Sequence, residues 1–485
     1  MNTMNISTQI IEDEMEFWSV PSLSIAVVKN GCTPYYNSFG ISDVENGIES
    51  KCTTNYIIAS CSKAMTSAVI AILVDKGLLD YDVPITNYIE SFKLFDQNAT
   101  TNLTIRDILC HRSGLGGHDT IWPNQKSITD FINGFEYLRP SGIFREKAQY
   151  SNIMYSVLGA IVEKVTALPW PEAIKKYLFD PLEMHSTYSA YSNTITDTDI
   201  AKPYQIINNR LTELKYWNLD SVSPAASVST NAIDMSKWLT FLVNHGCTTG
   251  DEQLISKETF KQMCSKQIDY DDALGVDINL FPTDGYAMGW QTGWYRNHYL
   301  IKHMGKIEGF SAIQIVLPEP KIAIALMMNL HSPSVPIFHT IAYTILDSLL
   351  DTKKTDWVKI FRKDTIVTAE TYNDCNCDLY ANCYPNAHPI VNKIVNPSYL
   401  GKYLNNGYGE LTIEKKQNKL LMLYNQREYT LNSFLSCPYE IKNFKEDIIS
   451  YNLPLSFITN TNNEAIAIKA RFEPLIDDII FHKVQ

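Results

Sequence analysis

The sequence predicts an α+β protein: an antiparallel sheet flanked by helices, an all-helical subdomain, and a small β barrel at the C-terminal end. Three observations carry this. Strand-like segments near the start and again around residues 286–328 bracket a helical stretch. A helix apolar on nearly every side follows the first strands. From Tyr399 onward, short apolar segments recur between Asn, Gln and Lys.

Taken in order, Ser22 to Val28 reads as a buried strand, and Asn30-Gly31 supplies the turn into a second strand at Thr33 to Phe39. Ser62 to Lys76 is apolar all round (Ala64, Met65, Ala68, Val69, Ile70, Ile72, Leu73, Val74) and stops at Gly77, the pattern of a core helix. Helices are expected at Thr104 to Cys110, Ser127 to Phe135, Met154 to Thr166, Trp170 to Leu178 and Asp234 to Asn244. Strands follow at Tyr286 to Gly293, Leu300 to His303, Ser311 to Leu317 and Ile322 to Met328, then a helix at Ile337 to Leu350. Periodicity fails from 351 to 396, where Pro, Asn and Asp accumulate, so a linker is expected there. It divides a unit at 1–350 from a barrel at 397–485, whose segments are Leu411 to Ile413, Leu420 to Tyr424, Pro454 to Thr459, Ala465 to Ala470 and Ile479 to Phe481.

Composition narrows the function classes. With 485 residues, 41 basic against 53 acidic side chains and a net charge of −12, the chain repels polyanions, which argues against nucleic acid and anionic membrane surfaces as partners. The runs Ala68 to Val74 and Ile322 to Met328 fall well short of the roughly 18 apolar residues of a membrane helix. The polar, acidic start lacks the basic flank and apolar run of a secretory signal, so a cytoplasmic location and free thiols for the ten cysteines are expected. Cys375, Cys377 and Cys383 lie close together, yet without a paired C-x-x-C or a fourth ligand they read as loop thiols, not a metal site.

Chemistry concentrates in three short motifs. Ser60-Cys61-Ser62-Lys63 opens the buried helix, so serine hydroxyl and lysine amine share a face where the helix N-terminus directs free N–H groups. A lysine at its ordinary pKa of about 10.4 is protonated at neutral pH, so burial or neighbouring cations must lower it before it can act as a base. Tyr150-Ser151-Asn152 precedes a helix and reads either as an ordinary cap or as a proton relay (Tyr150) with a substrate-binding amide (Asn152). His303-Met304-Gly305 ends a strand; alone, such a histidine is more often structural than catalytic.

In this order the three motifs resemble the serine β-lactamase and penicillin-binding-protein superfamily, which carries S-x-x-K, Y-x-N and K-T-G or H-x-G. Thr104 to Leu115, Ser227-Val228-Ser229-Thr230 and Tyr286-Ala287-Met288-Gly289-Trp290 resemble further landmarks, and the likeness spans Val20 to Leu350. The tail from Tyr399 to Gln485 looks like the lipocalin-like barrel of one branch, which includes an archaeal peptidase acting on D-amino-acid peptides. The resemblance implies the β-lactamase/transpeptidase-like fold, no metal and no cofactor. It makes Ser60 the nucleophile, Lys63 and Tyr150 the proton carriers, and His303 the counterpart of a lysine, as a weaker anchor for a substrate carboxylate. Asn152 and Gly305 would line the substrate site, and the backbone N–H groups of Ser60 and Lys306 would hold the oxyanion. The Lys306 side chain would either narrow the cleft or restore a cation.

His111, His118 and Asp119 invite a metal reading through their spacing, but match a structural segment of the family; Trp122 and Trp290 suit either cleft walls or core. The expectation is a serine hydrolase acting through an acyl-enzyme on small peptides, including D-amino-acid peptides. A carboxylesterase or β-lactamase with the same site, and a non-catalytic binding module, remain alternatives. Small peptide, amide or ester substrates are the expected partners, with a homo-oligomer suggested by the resembling branch.

Overall fold

A computed structural model describes residues 4, 6–122, 127–207, 209–270, 283–331, 334–352, 354–362, 396–416, 419–425, 427–432, 439–443, 453–473 and 475–484. Its centre is an eight-stranded antiparallel sheet. In spatial order the strands are Ile48–Glu49, Tyr35–Asp43, Ser22–Lys29, Ile322–Met328, Phe310–Leu317, His298–Ile307, Gln291–Tyr295 and Thr283–Tyr286. The N-terminal hairpin thus joins strands nearly 300 positions away, Leu23 facing Met328 and Lys29 facing Ile322.

Alternation along the strands sorts two cores. Leu23, Ile25 and Val27 point to one face, beneath the terminal helices α1 (Gln9–Trp18) and, at the other end of the unit, Ser334–Leu349. Ala26, Val28, Ile301 and Ala312 point to the other, where α2 (Ser62–Asp75) runs through the middle of the protein. Every residue of α2 from Ser62 to Leu73 is buried. Its Met, Ile and Leu side chains each contribute about 1.5–3 kcal/mol on burial. The helix α3 (Asn152–Thr166) packs beside it in the helical region.

Two expectations need correction. The segment Tyr286 to Gly293 is not one strand: it turns at Ala287–Trp290, with Gly289 at φ 79° packed on the Lys63 carbonyl. The strand carrying His303 runs on to Ile307, so the H-x-G element lies inside it, not at its end. The described part of the 351–396 stretch is also packed, with Trp357 and Phe361 buried against the terminal helices; its cysteines, Cys375, Cys377 and Cys383, lie outside the described residues.

The C-terminal barrel is closed, eight antiparallel strands from Gly401–Asn405 to Ile479–Lys483, sealed where Tyr403 pairs with Lys483. Tyr403, Leu411, Ile413, Met422, Ile468 and Phe481 fill it. Among the described residues no single helix is long and apolar enough to cross a membrane.

Candidate active site

Ser60 sits in a sharp turn. Tyr56–Ile57 pairs with Ser229–Thr230, the Ile58 N–H donates to Val228 O at 2.9 Å, and Ala59 then takes φ 45°, a left-handed conformation costly for a residue with a Cβ. One 3₁₀ turn, Ala59–Cys61, leads directly into α2. Gln314 on the sheet steadies this turn, donating to Cys61 O at 2.9 Å while accepting from Trp238 Nε1 at 2.8 Å.

Lys63 is fully buried, at 0 % exposure. Its Nζ donates to Ser60 Oγ at 3.0 Å, Asn152 Oδ1 at 2.7 Å and Ala225 O at 3.2 Å. Loss of hydration lowers its pKa to about 7, against a smaller opposing pull from Asp119 and Cys61. A free amine is therefore well populated at neutral pH.

Tyr150 arrives from the residues just ahead of α3. Ser151 takes an extended backbone, its hydroxyl donating to Gly116 O at 2.9 Å, so that Asn152 begins the helix. Tyr150 stands beside Ser60, which opposes the rise in its pKa, and its ring lies 4.8 Å from Lys63 Nζ. Burial pushes its pKa well above the ordinary phenol value, so at neutral pH it keeps its proton. Asn152 bridges onward: its Nδ2 donates to Asp119 Oδ1 at 3.1 Å.

The strand His298–Ile307 forms the opposite wall. His303 is buried and hydrogen-bonds Tyr286 OH through Nε2 at 2.8 Å and Met304 O through Nδ1 at 2.6 Å. Burial, then Lys63, lower its pKa to about 3, so it is neutral. Gly305 lets the strand touch the serine turn: a Cβ there would stand 1.9 Å from Ile58 O and 3.0 Å from Ser60 N. Lys306 is next along, and strand alternation sends its side chain to the face of Met304, away from His303. That side chain therefore neither narrows the cleft nor restores a cation where His303 stands.

Ser60, Lys63, Tyr150, Asn152, His303 and Gly305 thus converge on one place. His111 and His118 do not form a metal centre with Asp119, and among the described residues no His, Cys, Asp and Glu group of three could hold one. His111 instead packs against Tyr150, the rings tilted by 41° with centres 4.3 Å apart. His118 belongs to the barrel contact: its backbone N–H donates to Glu473 Oε2 at 2.8 Å and its Nδ1 accepts from Tyr408 OH at 2.6 Å. Asn425 Nδ2 donates to Thr120 O at 2.6 Å, so the barrel braces the loop that carries Asp119. Trp290 is fully buried core, whereas Trp122 is half-buried beside Trp217. Sequence reasoning missed Asp119 as a neighbour of Asn152, Tyr286 as a partner of His303, and the barrel residues altogether. The spacing of His111, His118 and Asp119 marks this loop in the sequence, and the structural reading preferred there agrees with their hydrogen bonds and ring contacts.

Comparison with known proteins decides the family. The Beta-lactamase family model matches residues 8–343. The chain belongs to the beta-lactamase family. Members of this beta-lactamase family are serine hydrolases in type. The chain is 24% identical over 449 residues to the unguisins hydrolase ungD of Aspergillus violaceofuscus, covering 87% of this chain and 78% of that one. It is 26% identical over 338 residues to protein flp of Staphylococcus aureus, covering 67% of this chain and 63% of flp. Among solved structures, the octameric penicillin-binding protein homologue from Pyrococcus abyssi superposes with TM-score 0.61 at 20% identity, covering 97% of this chain and 98% of that one. SurE gives 0.58 at 16%, covering 98% of both. Both likenesses extend through the barrel as well as the beta-lactamase fold.

Proposed function

We propose that this protein is a serine hydrolase that works through an acyl-enzyme on Ser60, most readily as a peptidase or amidase on small peptides, D-amino-acid peptides among them. The observation that carries it is the pairing at one hydroxyl: Ser60 Oγ lies 3.0 Å from an amine with pKa about 7, and beside it stands a phenol that is still protonated. This pairing assigns the roles. Free Lys63 accepts the Ser60 proton as Oγ attacks the carbonyl carbon. The tetrahedral oxyanion is held by the backbone N–H groups of Ser60 and Lys306, a kind of contact worth about 3 to 4 kcal/mol in the barrier. Tyr150 gives its proton to the leaving nitrogen or oxygen and is reprotonated from Lys63, and water then releases the acyl group by the reverse path. Asn152 and Gly305 shape the substrate site. His303 forms the wall of the catalytic site beside Tyr150.

The naming of one relative as a hydrolase, and a similar solved structure of SurE with D-Leu, support the substrate class. Residues 1–350 form the hydrolase domain and 397–485 a lipocalin-like domain; the stretch between them begins with the packed residues Trp357 and Phe361. The octameric relative supports a homo-oligomer, which light scattering would settle: a monomer mass rejects it.

Labelling tests the reaction. Fluorophosphonate or penicillin should modify Ser60, read by mass spectrometry, and leave Ser60→Ala unmodified. A folded protein that takes no label rejects the proposal. Rates on nitrophenyl esters, D-aminoacyl amides and nitrocefin separate peptidase from esterase and β-lactamase, since the same groups serve all three leaving groups.

A further inference from the structure

Behind Tyr150 runs a chain of hydrogen bonds whose direction is fixed at both ends by main chain. The Ser151 N–H donates to His111 Nδ1 at 3.2 Å, His111 Nε2 meets Tyr286 OH at 3.2 Å, Tyr286 OH meets His303 Nε2 at 2.8 Å, and His303 Nδ1 meets Met304 O at 2.6 Å. A backbone N–H can only donate and a backbone carbonyl can only accept. His303 must therefore carry its proton on Nδ1, leaving Nε2 to accept from the Tyr286 hydroxyl. Tyr286 oxygen in turn accepts from His111 Nε2–H, and His111 Nδ1 accepts from Ser151. Reversing any one link leaves two donors or two acceptors face to face. All three side chains are buried, His111 at 1%, Tyr286 at 0% and His303 at 3% exposure.

We infer that His111 and Tyr286 are positioning residues that hold His303 in its neutral Nδ1–H form, with both ring nitrogens engaged inside the protein. This wall of the cleft then gives no hold to a substrate carboxylate and suits esters, amides and internal peptide bonds. The inference rests on the hydrolase reading and names the substrate class that its site takes. The groups around His303 agree with a neutral ring. Lys302 on its own strand and Lys63 on α2 both oppose an imidazolium, the Cys61 thiol donates to the His303 carbonyl at 3.2 Å, and among the described residues Tyr150, Tyr286 and His111 stand beside it.

Nitrogen-15 NMR of the full-length protein labelled at histidine tests this without turnover, with resonances assigned through His303→Gln and His111→Gln. The expected result is His303 protonated at Nδ1, His111 protonated at Nε2, and neither titrating between about pH 5 and 8. A proton on His303 Nε2, or titration of His303 in that range, overturns the inference. In Tyr286→Phe, His303 loses its donor and should begin to titrate. The kcat/KM ratio of a dipeptide over its C-terminal amide near pH 6 should then rise by about tenfold. A folded Tyr286→Phe with wild-type tautomers and an unchanged ratio overturns the positioning role; if that variant does not fold, the wild-type tautomers decide. The expected tautomers in a protein that no serine reagent labels would reject the hydrolase reading alone, leaving the hydrogen-bond chain standing.

Discussion

Lys63 Nζ approaches Asn152 Oδ1 at 2.7 Å, closer than the 3.0 Å at which it meets Ser60 Oγ. The amide, bonded on its other side to Asp119 at 3.1 Å, stands between the lysine and a carboxylate that favours its charged form. Small changes along this line should move the proton affinity of Lys63, and with it the pH at which the site works.

With the free amine as the proposed base, kcat/KM should rise with pH through about 7, the value to which burial brings Lys63. Asp119→Asn removes a charge that stabilises the ammonium and should shift this ascending limb to lower pH. Asn152→Asp places a carboxylate against the amine and should shift it higher. Steady-state kinetics on one ester substrate check both signs; movement in the same direction would defeat the assignment.

The same lysine couples pH to stability. Its folded pKa of about 7 lies below the unfolded value of about 10.4, so between them the unfolded chain binds more protons and folding is favoured as pH rises. The charged form held inside the protein is the destabilising one, and its penalty is largest below about pH 7. Lys63→Met should flatten this slope in urea melts between about pH 7 and 9, while lowering activity by about 10²–10⁴.

Tyr150→Phe keeps the ring against His111 and Lys63 and deletes only the hydroxyl beside Ser60. A fall in kcat of about 10²–10⁴ is expected, with melting little changed. Near-wild-type turnover would remove Tyr150 from the proton path.

Gly305→Ala forces a methyl group into the Ile58 carbonyl, 1.9 Å away. Either the strand or the serine turn must retreat, at about 1–3 kcal/mol or more. Thermal melts should fall and serine labelling should slow together; an unperturbed variant would show that the strand and the turn are not in contact.

Glu473 and Tyr408 reach from the barrel to His118, whose ring is kept neutral by burial, with a pKa near 4. Tyr408→Phe leaves the buried His118 Nδ1 without its donor, at about 1–3 kcal/mol. Because Asp119 is the next residue, kcat/KM should fall as well as stability. Loss of stability with unchanged kinetics would confine the barrel to a structural part.

The core helix, the N-terminal hairpin, the last sheet strands and several barrel segments were legible because each buries a long apolar run with its own periodicity. The site's three motifs were legible because they are local in sequence. What stayed hidden depends on register and on distant contacts. The strand through His303 reads as ending early because Met304, Gly305 and Lys306 lack its apolar pattern, yet pairing with Phe310–Leu317 carries it on to Ile307. The hairpin of Tyr204–Ile207 with Arg210–Glu213 and the polar barrel strands, such as Arg427–Asn432, are set by their partners and not by their own composition. Nothing near His118 announces Tyr408, 290 residues away.

That distant contact gives the fold a particular evolutionary freedom. Residues of the barrel can drift and alter how the loop bearing Asp119 is held without any substitution at Ser60, Lys63 or Tyr150. The fused arrangement thus lets a distant part of the chain reshape the neighbourhood of Asn152 while the serine, lysine and tyrosine stay as they are.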